Sequence, residues 1–242
     1  MAESKNPNLS EHRVQTSILA GPEKKALLWI APRLPRWVTP DMLTYFGLAA
    51  MALVGLSYYL VKHSNFYLIL ASIGYVLNWF GDSLDGTLAR VRNQQRPKYG
   101  YYLDHLVDAF GVAFMIFGLA YSHLVSQPFV WLVLSLFFIA SINTYLATNS
   151  VKVFKISYLR VSTTEARVLL IIMNFILIWV KRVDIFGFTA YLLDLVAGLI
   201  AIFLLFAIIR SAYKNLRQLH REETAHWHKG VTIKDTELGD PT

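Results

Sequence analysis

Eight residues within 27 positions carry the chemistry of this chain: Asp82, Asp85, Gly86, Ala89, Arg90, Gly100, Asp104 and Asp108. On a helix, with about 100° per residue, Asp82, Asp85, Gly86 and Ala89 share a stripe roughly 100° wide, and Asn78 joins it. Gly100, Asp104 and Asp108 follow at i, i+4 and i+8, a line along one face of a second helix. The surroundings are strongly apolar, and a single charge there costs about 2.5–3.5 kcal/mol on insertion scales. Four carboxylates kept together in such a setting imply a cationic partner. With oxygen donors alone, no sulfur and no well-placed imidazole, the set suits Mg²⁺ or Mn²⁺ better than Zn²⁺. Two divalent ions balance four negative charges and could clamp a phosphoanhydride. Phosphoryl-type transfer is the chemistry implied.

The elements that position these residues are read from hydropathy. The 242 residues are 55% hydrophobic, with a mean hydropathy of +0.42. A bilayer crossing takes about 20 apolar residues, and six stretches qualify: Leu43 to Val61, Phe66 to Val91, Tyr102 to Leu124, Phe129 to Ser150, Thr164 to Val180 and Phe188 to Arg210. The expected fold is all-α and integral to the membrane: six transmembrane helices with antiparallel neighbours over 42–214. Residues 21–41 mix Trp29, Trp37, Pro32 and Pro35 with Lys24, Lys25, Arg33 and Arg36. That mixture predicts an interfacial amphipathic helix, with a proline-broken linker as the alternative for its second half. Residues 1–20 and 215–242 read as mobile tails, the second basic, and no cleavable signal peptide is expected.

Basic residues set the orientation. Six Lys/Arg precede the first span, four lie between Arg90 and Lys98, three between Lys152 and Arg160, and six from Arg210 onward. The alternate loops hold Lys62, Lys181 and Arg182 alone. Both termini and the acidic cluster are therefore expected on the cytoplasmic side of an inner, cytoplasmic-type membrane. The net charge of +7 then describes a basic face toward anionic headgroups, with no nucleic-acid partner. Without cysteine the chain has neither disulfides nor thiolate chemistry.

The order Asp-x-x-Asp-Gly-x-x-Ala-Arg, nine residues, then Gly-x-x-x-Asp-x-x-x-Asp resembles the signature of CDP-alcohol phosphotransferases, and all eight positions match. At roughly 5–8% per residue type, eight chance matches arise about once in 10⁹–10¹⁰ start points. The resemblance implies six transmembrane helices, a homodimer and two divalent cations. It also implies transfer of a phosphatidyl or phospho-alcohol group from a CDP-linked donor to a hydroxyl acceptor, releasing CMP. By position Asp82, Asp85, Asp104 and Asp108 become metal ligands, with Asp108 also the general base. Gly86, Ala89, Arg90 and Gly100 lie around the cytidine diphosphate. The run Thr39-Pro40-Asp41-Met42-Leu43-Thr44 is similar to the family's approach to its first span, where Asp41 and Thr44 help hold the donor; physically, Asp41 or Thr39 caps that helix. A CDP-diacylglycerol donor is the first expectation, and CDP-choline or CDP-ethanolamine with diacylglycerol the second.

Two other classes remain open at this point. An intramembrane prenyltransferase also uses Asp-rich helices and Mg²⁺, but gives Gly86, Ala89 and Arg90 no work. A divalent-cation transporter places its site near the bilayer midplane, not at one end. Among the remaining residues, His105 falls about 100° off the aspartate line and reads as packing or headgroup contact. Asn78 suits a metal-bound water or an interhelical hydrogen bond. Ser162 to Glu165 suit a helix start, while Arg160, Glu165 or Arg167 could lie beside substrate phosphates. Asp194 faces a bundle partner with no assigned role, and His220, His226 and His228 read as solvated.

Overall fold

The computed structural model describes residues 20–150, 163–185 and 187–228. The N-terminal tail, Arg160, Ser162 and the end of the C-terminal tail lie outside the described residues, as do the side chains of His226 and His228. Helix α1 (Ala20–Ile30) continues into a 3₁₀ turn at Ala31–Arg33, followed by α2 (Pro40–Leu60), α3 (Phe66–Val91), α4 (Pro97–Ala120), α5 (Gln127–Ser150) and α6 (Thr163–Trp179). A hairpin of β1 (Arg182–Ile185) and β2 (Phe188–Tyr191) leads into α7 (Leu192–His228).

Local chemistry sets these boundaries. Thr39 caps α2, its hydroxyl accepting from Met42 N at 3.2 Å, with Pro40 in the first turn where it has no N–H to lose. Pro97 likewise opens α4, so that helix begins five residues before the apolar stretch at Tyr102. Asp194 sits in the first turn of α7 and accepts from both the backbone N and the hydroxyl of Ser126, each at 2.6 Å. The residue without an assigned role thus fixes the start of α5 against α7.

Two departures concern the last span. Phe188 to Tyr191 pair antiparallel with β1 instead of opening a helix, and Gly187 just before them has φ +87. Helix α7 then runs 37 residues, through His228, well past Arg210. Lys214, Arg217 and Arg221 decorate this continuing helix.

Helix contacts form a row in the order α6, α3, α2, α4, α5, α7. Sequence neighbours α3 and α4 therefore do not pack on each other; among the described residues they make no extended contact, and α2 lies between them. The tightest seams belong to α2. A Cβ at Gly81 would stand 2.6 Å from the Leu43 carbonyl oxygen, and one at Gly118 would stand 1.9 Å from that of Gly55. Small residues let these backbones approach, as membrane helices require. Val54, Tyr58, Leu68, Ala71, Tyr75 and Leu177 make the central core, while Leu27 and Ala31 insert beside Val38, Leu43, Leu84 and Leu88, docking α1 on α2 and α3.

Helices α2, α4, α5 and α7 are long and apolar enough to cross a membrane. Their outward faces carry exposed Phe110, Phe117, Ile142, Leu199 and Phe206, side chains that hydrocarbon accommodates. Helix α3, with 26 residues, is interrupted by Asn78, Asp82 and Asp85, and α6 spans 17 residues. Among the described residues four helices thus meet the length and hydropathy requirement, in a mostly helical, integral membrane protein.

Candidate active site

Because α3 and α4 pack on either side of α2 and not on each other, the acids they carry stand on two walls of a cleft with α2 as its floor. Asp82 and Asp85 project from α3, Asp104 and Asp108 from α4, and Thr44 of α2 donates its hydroxyl to Asp85 Oδ2 at 2.6 Å. The other Asp85 oxygen accepts from Gly86 N. Asp85 lies within electrostatic reach of Asp82 and Asp104, and Asp108 within reach of all three others and of Arg167. The four carboxylates form one charge system across the gap.

Arg167 of α6 reaches into that system. Its Nη2 lies 2.5 Å from Asp82 Oδ2 and its Nε donates to Asn78 Oδ1 at 2.8 Å. Nη1 is buried and, among the described residues, has no hydrogen-bond partner. Asn78 in turn donates to Gly47 O at 3.0 Å. Of the two readings of Asn78, this is the interhelical hydrogen bond, tying α3 to α2 and α6. The Arg167 guanidinium lies on a carboxylate of the signature itself; the sequence pattern held its signal, a lone basic residue inside an apolar stretch, without its target.

At the mouth, Asp41 forms an ion pair with Arg96 and accepts from the Tyr99 hydroxyl at 3.3 Å. Asp41 therefore does not cap α2, which Thr39 does; it ties the start of α2 to the start of α4. Arg92 donates to the carbonyls of Leu34 (3.0 Å), Pro35 (2.9 Å) and Val38, anchoring the segment that joins α1 to α2. Arg90 donates to Thr87 Oγ1 at 3.1 Å. His105 stacks between Tyr101 and Tyr145, at centroid distances of 4.1 and 5.2 Å, the packing role expected of it.

The glycines of the motif do not line a tight helix seam: a Cβ at Gly100 would meet nothing within 4 Å and one at Gly86 would meet Arg90 Nη1 alone, at 3.7 Å. Both are exposed. The physical reason is the intervening α2, which holds α3 and α4 apart. What these positions keep open is space in the cleft, room for a bulky ligand.

Chemically, the site fits hard divalent cations: it gathers four oxygen-only acids, with the Arg167 guanidinium bonded to Asp82. The acids face each other without closing; among the described residues no three His, Cys, Asp or Glu side chains gather around one point.

A family model described as CDP-alcohol phosphatidyltransferase matches residues 37–213. The chain belongs to that family. The cleft and all eight signature residues lie inside the matched segment, whereas α1 precedes it. An archaetidylinositol phosphate synthase of Pyrococcus horikoshii is 34% identical over 97 residues, 40% of this chain and 48% of that protein. An uncharacterized protein of Aquifex aeolicus is 39% identical over 87 residues, 35% of this chain and 41% of that protein. The chain thus spans less than half the length of these curated relatives. Membership in the CDP-alcohol phosphatidyltransferase family places the chain among transferases of phosphorus-containing groups, and sets aside the prenyltransferase and transporter readings.

Proposed function

We propose that this chain transfers a phosphatidyl or phospho-alcohol group from a CDP-linked donor, CDP-diacylglycerol in the first instance, to a hydroxyl acceptor. The acceptor oxygen forms a bond to the donor phosphorus next to the alcohol, the phosphoanhydride bond to CMP breaks, and the acceptor proton passes to Asp108. The observation that carries this reading is the cleft. Two acids from each of two separated helices face one another, with motif glycines leaving the space beside them open.

CDP-alcohol phosphatidyltransferases are generally dependent on divalent metals. In this chain Asp82, Asp85, Asp104 and Asp108 would hold the ions, two Mg²⁺ or Mn²⁺ by charge balance, and the ions would supply countercharge to the pyrophosphate. Thr44 orients Asp85 through its hydroxyl. Gly86, Ala89, Arg90 and Gly100 border the cytidine diphosphate, and the Asp41–Arg96 pair frames the opening through which it enters. A carboxylate is a weak base toward an alcohol, so holding the acceptor hydroxyl in line supplies much of the rate.

Six spans, a cytoplasmic active site with cytoplasmic termini, and a homodimer complete the proposal. It is supported by the basic loops and by the family's habit. Likeness to an archaetidylinositol phosphate synthase puts inositol phosphate first in the panel of acceptors, ahead of glycerol phosphate and serine.

The test is CMP release by purified protein in liposomes, with cytidine-labelled donors against that panel. Activity is expected with Mg²⁺ or Mn²⁺ and a loss of at least about a hundredfold with chelator. Full activity in excess EDTA would reject the ion reading. CMP release with CDP-choline and diacylglycerol, and not with CDP-diacylglycerol, would move the donor to the second class.

A further inference from the structure

We propose that Glu23 is a positioning residue for the acid cluster: it fastens the surface helix α1 to α3 and α6 together, and so keeps Arg167 on Asp82. Glu23 Oε1 accepts three hydrogen bonds, from Trp79 Nε1 at 2.8 Å, Ser83 Oγ at 3.1 Å and Thr164 Oγ1 at 2.9 Å. Trp79 and Ser83 each directly follow one of the two residues that Arg167 binds, Asn78 and Asp82. Thr164 stands three residues before Arg167, one turn away on the same helix. Helices α3 and α6 are thus joined by two clasps in adjacent rows, one closed by Arg167 and the other by Glu23.

The clasps matter because apolar packing does little at this end of α6. Its buried residues are Asn174 and Leu177, whereas Thr163, Ala166, Val168 and Leu169 are exposed. The first two turns are held to α3 by polar contacts, and apolar packing begins at Leu170. A carboxylate is the group to gather three neutral donors, since bonds to an ionised acceptor are roughly twice as strong as neutral ones. Glu23 also precedes the segment that the family model matches, residues 37–213, so family membership gives it no role. The opposite side of α1 exposes Lys24, Lys25, Leu28 and Trp29. The helix therefore presents a membrane-type face outward and this carboxylate inward.

Releasing Glu23 frees the start of α6 and lets Arg167 leave Asp82. Arg167 competes with any other cation for that carboxylate, so its departure tightens ion binding. This consequence rests on the ion reading of the cluster, whereas the fastening does not. The full-length protein in detergent is compared with Glu23→Ala, Glu23→Gln, Arg167→Gln and the Glu23→Ala/Arg167→Gln double variant. Two readouts are amide hydrogen exchange over 163–170 and Mn²⁺ affinity from the spectrum of free Mn²⁺.

Glu23→Ala should speed exchange over 163–170 and tighten Mn²⁺ binding roughly fivefold, the size of an ion-pair competition at a partly exposed site. Glu23→Gln should fall between it and the parent. Arg167→Gln should tighten binding by a similar factor, and the double variant should bind no tighter than Arg167→Gln alone, because Glu23 acts through Arg167. Unchanged exchange in Glu23→Ala, or effects on Mn²⁺ that add in the double variant, would overturn the proposal. A parent protein that binds no Mn²⁺ sinks the ion reading, and exchange alone then decides the fastening.

Discussion

Two polar clusters lie inside this apolar bundle, and they are built on opposite rules. In the first, Tyr58 donates to Asn174 Oδ1 at 2.8 Å and meets Tyr75 at 3.2 Å, Asn174 donates to Ser72 Oγ at 3.1 Å, and Tyr75 donates to Met115 Sδ at 3.0 Å. All four hydrogen-bonding residues other than Met115 are buried. Each is neutral, and each polar group is answered by another helix. The second cluster carries four carboxylates, one of them paired with the Arg167 guanidinium, in a cleft where Asp108 is exposed. Where the chain satisfies its own polar groups, the cluster holds α2, α3, α4 and α6 together. Where it gathers like charges, the cluster is the site proposed above for a cationic ligand.

The sharpest way to break that contrast is to neutralise an acid. Asp108→Asn keeps the shape of the side chain and removes its charge and basicity. Transfer should fall about 10²- to 10⁴-fold, the span for loss of a general base, with unchanged thermal unfolding. CMP release together with a melting curve checks both halves. Near-parental CMP release would remove Asp108 from the chemistry.

The glycines sharpen the contrast next. Gly81 lies in the α2–α3 seam, where a Cβ would stand 2.6 Å from Leu43 O and 2.8 Å from Gly47 N. Gly81→Ala should destabilise the protein by about 1–3 kcal/mol through overpacking. Gly100→Ala adds a methyl into open space and should leave stability within about 0.5 kcal/mol, while raising KM for the CDP-linked donor. Equal melting temperatures for the two variants would contradict the division between seam and cleft. The neutral network predicts a third pattern. Asn174→Leu should cost about 1–2 kcal/mol of stability and leave KM for the donor unchanged.

How much of this was legible in the sequence follows from distance along the chain. The acids were legible because their spacing is that of a helix face, and each wall of the cleft is one local segment. Their separation by α2 was not, since nothing in a short loop such as 92–96 shows which helix comes between its neighbours. The hairpin was hidden because Phe188 to Tyr191 extend the apolar run of α7, and a four-residue strand carries too little alternation to stand out. Glu23 was illegible for the strongest reason: its donors lie 56, 60 and 141 residues away, and a pattern search sees only the near ones. Arg167 was visible as an odd charge, but the choice between a phosphate and Asp82 is made by tertiary packing.

The finest distinction concerns Thr44, which belongs to the buried α2 core and also touches the cleft. Its hydroxyl reaches Asp85 Oδ2 at 2.6 Å and lies 3.3 Å from Pro40 O, so a purely packing role and a site role predict different outcomes. Thr44→Val keeps the volume and deletes the donor. If the hydroxyl only fills space, stability and ion dependence both stay put. If it orients Asp85, the carboxylate loses a fixed bond near the point of ion binding. The Mg²⁺ concentration for half-maximal CMP release should then rise about five- to tenfold, in keeping with the loss of one charge-assisted hydrogen bond that orients a ligand. The direction is opposite to that expected for Arg167→Gln, because Thr44 supports an acid whereas Arg167 competes for one. A Thr44→Val protein with parental Mg²⁺ dependence would assign this residue to the core, and the floor of the cleft would be inert.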